Sequence, residues 1–121
     1  SFIVAGDEGL DELSLAGGNE LAEVVGGDFE MHRVDAARAG LPSAPIEAIR
    51  GGDAEHNAAA LRELLMGARG PYRDAVLFNA AGALIVAGEV HSWADGVEEA
   101  GETIDKGLAK ALLDCWIAAA K

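Results

Sequence analysis

The stretch Ser1-Phe2-Ile3-Val4-Ala5-Gly6-Asp7-Glu8-Gly9-Leu10-Asp11-Glu12 decides how the rest of the chain is read. Phe2 to Ala5 is a short, continuous apolar run. A strand buried on both faces has this look, because neither face needs polar residues. A central strand needs neighbours, and few other strand candidates follow. The expectation is therefore that sheet partners lie N-terminal to Ser1. The run gives way at once to Gly6–Glu12, a loop with two glycines and four carboxylates. In open α/β sheets, ligands sit beyond the carboxyl ends of strands. Function is sought first in this loop.

Outward from it, Glu20 to Val25 and Phe29 to Val34 read as a hairpin, because Gly26-Gly27-Asp28 between them is a tight-turn signal. Asp35 to Gly40 predicts one or two helical turns ending at Gly40. Pro42 and Pro45 then impose an irregular connection. Asp53 is an N-cap residue for a helix whose apolar stripe is Ala58, Leu61, Leu64 and Leu65, with Gly67 as its C-cap. Pro71 opens a second helix and Asp74 sits in its first turn, where the helix dipole favours a carboxylate. Val76 to Ala87 is apolar nearly all round, so this helix should be buried on most sides, and Asn79 within it must find partners. A third helix spans about Trp93 to Asp105, with Trp93, Val97, Ala100 and Ile104 on one face. A fourth spans about Lys106 to Ala120, with Leu108, Leu112, Cys115, Trp116 and Ala119 expected inward. One buried strand, a hairpin and about four helices make part of an α/β domain.

Composition narrows the function. A chain of 121 residues, half of them hydrophobic, supports one small domain with a core of its own. Aromatic residues are only 5%, so Ala, Leu, Val and Ile must build that core. The formal net charge of -12 repels phosphate backbones and anionic membranes. A phosphorylated substrate would need a cation supplied locally. The longest apolar run, Ala75 to Gly88, is broken by Asn79 and falls short of the roughly 20 residues of a membrane span. The single cysteine, Cys115, fits a reducing cytoplasm, and its apolar helical setting predicts a core thiol rather than a reactive one. No signal-peptide pattern is visible, and the expected compartment is the cytoplasm.

Two segments are candidates for chemistry. The adjacent carboxylates Asp11 and Glu12 offer hard oxygen ligands of the kind Mg²⁺ takes along with waters and substrate phosphates. The alternative is a solvated turn. Gly51-Gly52-Asp53, before a helix N-terminus, leaves room for a ligand to reach backbone N–H groups; the alternative is a simple capped turn. Neither GxxxxGK[ST] nor GxGxxG occurs. His32, His56 and His91 are scattered, without metal-ligand spacing to one another or to Cys115, and read as surface or capping residues. No Ser/His/Asp or Cys/His set follows from spacing.

Gly9-Leu10-Asp11-Glu12, Gly51-Gly52-Asp53-Ala54 with Asn57-Ala58, Arg73-Asp74 with Asn79-Ala80-Ala81, and Ile104-Asp105 with Gly107 occur in that order. This series resembles the C-terminal stretch of anthranilate phosphoribosyltransferases, over essentially the whole chain. The resemblance implies the C-terminal portion of the large α/β domain of the anthranilate phosphoribosyltransferase and class II nucleoside phosphorylase-like fold, whose sheet is mostly parallel. Residues 1–121 would then form a partial glycosyltransferase domain.

The implied reaction joins anthranilate to phosphoribosyl pyrophosphate (PRPP) and releases pyrophosphate. It requires Mg²⁺, and the family's metal-binding Asp-Glu pair falls on Asp11 and Glu12. The family's helical domain, Gly-rich PRPP loop, phosphate-contacting Lys and Ser and anthranilate-binding Arg would lie upstream of Ser1. The expectation is thus that no catalytic residue lies in this segment, that the chain alone is inactive, and that it self-associates or pairs with that upstream part.

Departures from the family pattern are Ala5-Gly6 in place of a frequent His-Gly, Ala16-Gly17-Gly18-Asn19 in place of a Thr-Gly-Pro-Thr stretch, and Lys106 in place of Ser. No role is carried over to Ala5, Asn19 or Lys106. Two further readings are a nucleoside phosphorylase relative, against which the acidic pair argues, and a non-catalytic binding module of the same fold. A nucleic-acid-binding module would need basic patches, and 9 Lys+Arg stand against 21 Asp+Glu.

Overall fold

Glycine fixes the hairpin. Gly26 and Gly27 have φ of +59° and +89°, as a two-residue type I′ turn requires of both central residues. They join β2 (Asn19–Val25) to β3 (Asp28–Val34), antiparallel and in register from Val25↔Asp28 to Asn19↔Val34. β1 (Phe2–Gly6) lies on the other side of β2, also antiparallel, from Phe2↔Glu23 to Gly6↔Asn19. The computed structural model describes residues 1–120, and its sheet has the order β1-β2-β3. All three strands of this segment are thus antiparallel, whereas the sheet of the implied domain is mostly parallel.

β1 differs from the doubly buried strand expected. It is an edge strand among the described residues, and its burial alternates: Phe2 and Val4 pack against the core, whereas Ile3 is 66% exposed. One face of the sheet meets the helices. The other, carrying Ile3, Ala22 and Met31 in one cross-strand row, has nothing laid over it among the described residues. A continuous apolar run does not distinguish a covered second face from a bare one.

Asp35 caps a short 3₁₀ turn at Ala36–Ala39, which ends on Gly40 at φ +76°, as the sequence predicts. A second 3₁₀ turn covers Ile46–Ile49. Four helices follow: α1 (Ala54–Leu65), α2 (Pro71–Val86), α3 (Trp93–Asp105) and α4 (Leu108–Ala120). Asp53 and Ser92 cap α1 and α3 by accepting from the backbone N–H three residues on.

α2 runs through the centre. Its middle buries Ala75, Leu77, Phe78 and Ala81, while Val86 near its end is 46% exposed, so the burial on most sides predicted for it holds for the middle turns and not for the end. Phe78 is fully buried and meets Trp93 edge-on at 5.5 Å between ring centroids. Its burial contributes roughly 2–3 kcal/mol by area. The main core joins Leu13, Leu15, Leu21, Val34 and Phe78; a second cluster joins Leu64, Leu77, Ala100 and Ile104 between α1, α2 and α3.

Two features weld α2 to α3. Gly96 lies against Ala81 so closely that a Cβ on it would stand 2.7 Å from the Ala81 Cβ. Near the helix ends, the buried Arg73 guanidinium donates to both carboxylate oxygens of Asp105, each at 3.0 Å.

α4 corrects two expectations. It starts at Leu108 rather than Lys106, because Gly107 at φ +77° ends the preceding helix. None of its residues is buried: Leu108, Leu112 and Trp116 are 60%, 54% and 65% exposed, and the Ala119 face is open too. Cys115 is exposed as well, so it is not a core thiol. The stripe is present at helical spacing, but amphipathic spacing does not say whether anything covers it.

Candidate functional site

The loop between β1 and β2 is built from its anchors outward. At its entry, the Gly6 N–H donates to the Leu10 carbonyl at 2.8 Å and the Gly9 N–H donates back to the Gly6 carbonyl at 3.0 Å, curling Asp7 to Leu10 into a closed turn. Gly6 must be small here, since a Cβ would come within 3.1 Å of the Ser14 Cβ and 3.2 Å of the Leu10 Cβ.

At its exit, two carboxamides hold successive residues. The Leu13 N–H donates to Asn79 Oδ1 at 2.8 Å, and Asn79 Nδ2 donates to the Leu13 carbonyl at 3.0 Å. Asn79 Nδ2 also donates to the Ala75 carbonyl within α2. The Ser14 N–H donates to Asn19 Oδ1 at 2.7 Å, and Asn19 Nδ2 donates to the carbonyls of Ser14 and Val34, each at 3.0 Å. Asn19 is fully buried, and its amide meets the hydrogen-bond demand that burial creates. Leu13, Ser14 and Leu15 are buried behind these clamps.

Asp11 and Glu12 occupy the two positions between the anchors. Both are exposed. The other carboxylates of the loop are placed differently: Asp7 is ion-paired with Arg33, which also lies 3.7 Å from Glu20, and Glu8 points to solvent. Neither Asp11 nor Glu12 has a basic partner among the described residues. The two acids are therefore available to a cation, on a backbone held at both sides. Glu12 lines a cavity of about 720 Å³ together with Leu10, Ile49, Arg50, Tyr72, Val76 and Asn79 among others.

This donor set fits Mg²⁺. The ligand atoms are hard carboxylate oxygens, solvent has access to complete the shell, and no soft or nitrogen ligand joins them among the described residues.

The Gly51-Gly52-Asp53 turn resolves as a capped turn. Asn57 Oδ1 accepts from the Gly52 N–H at 2.9 Å, and Asn57 Nδ2 returns a bond to the Gly52 carbonyl at 3.1 Å. Asp53 takes the His56 N–H at 2.8 Å. The Gly52 and His56 amides are thus taken up within the turn itself.

The other residues of the recurring series have structural roles here. Asn79 ties α2 to the acidic loop, and Arg73 and Asp105 tie α2 to α3. The sequence showed that a buried Asn79 needs partners but not that Leu13, 66 residues away, supplies them. The role of Asn19 was missed; its signal is a polar residue opening an apolar-patterned strand. Arg73 holds the Asp105 carboxyl below the ordinary carboxylate range by hydrogen bonding, with burial opposing and the charges of Arg73 and Arg69 assisting. Burial pushes Asp74 the other way, against the charges of Arg73 and Arg69.

An antiparallel sheet backed by an α2–α3 pair, with a clamped acidic loop at a strand end, defines an α/β domain with two exposed carboxylates at its edge. Residues 1–110 match the family described as "Glycosyl transferase family, a/b domain", and the chain belongs to that family.

Its relatives narrow the comparison. The anthranilate phosphoribosyltransferase of Novosphingobium aromaticivorans is 71% identical over 119 residues, which cover 98% of this chain and 36% of that protein. That of Sphingopyxis alaskensis is 64% identical over 118 residues, again 98% of this chain and 36% of the relative. Among solved structures, anthranilate phosphoribosyltransferase from Thermus thermophilus superposes with a TM-score of 0.87 at 38% identity, covering 98% of this chain and 35% of the other. The Saccharomyces cerevisiae enzyme in complex with PRPP and Mg superposes at 0.86 and 26% identity, over 93% of this chain and 33% of the other. The chain thus spans about 36% of the length of the curated relatives it matches.

Proposed function

We propose that this chain supplies the metal-binding loop and the scaffold behind it for an anthranilate phosphoribosyltransferase, which transfers phosphoribosyl from PRPP to anthranilate and releases pyrophosphate. The observation that carries this reading is the acidic pair Asp11-Glu12, without a basic partner among the described residues and held between the Gly6–Leu10 turn and the Asn79 clamp. The 71% identity to a relative of that name supports it, with the coverage already given.

In the reaction, the amine nitrogen of anthranilate bonds to the anomeric carbon while the bond from that carbon to the pyrophosphate oxygen breaks, and the amine loses a proton. Mg²⁺, when bound, neutralises the charge that builds on the departing pyrophosphate. Carboxylates repel a polyphosphate directly, so the role of Asp11 and Glu12 is to hold the ion, through oxygen or through water. Asn79 and Asn19 keep their backbone from retreating when the anionic substrate arrives. Preorganisation of this kind lowers the cost of assembling the charged site. No residue of this segment is assigned a proton-transfer role.

The protein works in the cytoplasm on this reading, which the single cysteine supports. The bare apolar sheet face and the open α4 stripe support association with further chain, either a second copy or the remaining length that relatives have.

The test is an assay of a protein of the relatives' full length that contains this segment. One arm supplies anthranilate with PRPP and Mg²⁺; the other supplies a nucleoside with phosphate. Formation of N-phosphoribosyl-anthranilate in the first arm alone is expected. Turnover confined to the nucleoside arm would move the chain to the phosphorylase branch.

A further inference from the structure

The hairpin carries a second group of ligand-type side chains, on the opposite side of the sheet from the Ile3–Ala22–Met31 row. Glu23 and Glu30 are cross-strand partners in the β2–β3 register, and His32 lies two residues along from Glu30 on the same face. His32 Nε2 stands 3.3 Å from Glu23 Oε2 and 3.5 Å from Glu30 Oε2, and one ligand atom from each of the three lies within 4.8 Å of the others.

Three features of this arrangement point to an ion. Like charges directly opposite on a hairpin are destabilising, and this chain, with its net charge of -12, places two glutamates so. A cation between them reverses the sign of that interaction. The spacing is also informative. A charge-assisted N–H···O bond closes to about 2.7–2.9 Å, and both separations here are longer. Two ligand atoms each about 2.1 Å from a tetrahedral ion stand about 3.4 Å apart. The observed 3.3 and 3.5 Å are compatible with that value, as they are with a direct contact between the imidazole and the carboxylates. Finally, one imidazole nitrogen with two carboxylate oxygens is a mixed donor set. It selects ions of the zinc kind over Mg²⁺, because imidazole suits the former.

We propose that Glu23, Glu30 and His32 form a three-ligand site for a borderline divalent cation such as Zn²⁺, separate from the Asp11-Glu12 loop. Solvent completes the shell, since the Glu23, Glu30 and His32 side chains are 42%, 79% and 46% exposed. The nearby Arg33 does not compete for the carboxylates, because it is engaged by Asp7 and Glu20. The type I′ turn preorganises the ligands by fixing the register that sets Glu23 against Glu30.

The experiment uses the metal-stripped 121-residue chain and Zn²⁺ alone, by isothermal titration near neutral pH. Saturation at one ion per chain is expected. His32→Ala and Glu23→Gln should each weaken it by about tenfold or more, while Asp11→Ala with Glu12→Ala leaves it unchanged. On the unsubstituted protein, Zn²⁺ should shift the ¹⁵N resonance of His32 Nε2 and leave that of His56 in place. This measurement does not depend on any variant folding. An unmoved His32 nitrogen, the absence of saturable binding, or binding lost in the Asp11/Glu12 variant would each overturn the site.

Discussion

Asn79 and Leu13 form a two-way hydrogen-bonded pair. The carboxamide accepts from the Leu13 N–H at 2.8 Å and donates to the Leu13 carbonyl at 3.0 Å. The side chain of one α2 residue thus imitates a strand partner for the loop residue that follows Asp11-Glu12. The position of the acidic pair is read from the central helix, not from the sheet edge alone.

Removing that amide should be felt twice. Asn79→Ala leaves the N–H and carbonyl of the buried Leu13 without partners, at a cost of about 1–3 kcal/mol. Urea unfolding of the chain should show a loss of that size. In a full-length protein, the same variant should raise the Mg²⁺ concentration needed for half-maximal turnover, because the acidic pair loses its fixed backbone.

The α2–α3 crossing leaves no room at Gly96. A methyl there would stand 2.7 Å from the Ala81 Cβ and 2.9 Å from its Cα, so backbone must move. Gly96→Ala should lower stability by about 1–3 kcal/mol despite its better helix propensity. A midpoint of thermal unfolding equal to or above that of the parent would show that the helices are less tightly apposed than the distances imply.

Two acids of this helix pair should respond to pH with opposite signs. The carboxyl of Asp105 is held low, so its pair with Arg73 stabilises the fold above the ordinary carboxylate range, about pH 4, and is lost as acid titrates it below. Asp105→Asn should destabilise the chain at pH 7, with the difference from the parent shrinking as pH falls below about 4. Asp74 is pushed up by burial, so its ionised form opposes folding. Asp74→Asn should match or exceed the parent at pH 7 and lose that advantage in acid. Denaturant unfolding at both ends of this range checks both signs.

Ile3, Met31 and Phe29 on the sheet, with Leu112 and Trp116 on α4, are each more than half exposed. An isolated chain that leaves such faces in water should self-associate. Light scattering should report a mass above the 12.4 kDa monomer, and Ile3→Lys with Met31→Lys should reduce it. A parent chain that stays monomeric across the accessible concentration range would contradict this.

The elements were legible where local chemistry dictates them. Gly26-Gly27 has one economical use between two alternating strands, and Asp53 and Pro71 mark helix starts whatever they pack against. What covers an apolar face is not local. The Phe2–Ala5 run and the Leu108–Trp116 stripe have the patterns of buried elements, yet the Ile3 face of the first and the whole of the second stand open among the described residues. The candidate acids were found by being adjacent in a glycine-bounded loop. Their clamps were not, because Asn79 and Asn19 act through contacts that only the fold creates. The Glu23–Glu30–His32 group was hidden for the same reason, since the register brings Glu23 across the turn.

The most direct test is divalent-ion dependence in a full-length protein carrying Asp11→Ala with Glu12→Ala. Anthranilate consumption with PRPP, followed by chromatography across a Mg²⁺ titration, should collapse or require far more Mg²⁺ than the parent, with PRPP affinity falling in parallel. Turnover that keeps the parent's Mg²⁺ dependence would contradict the account.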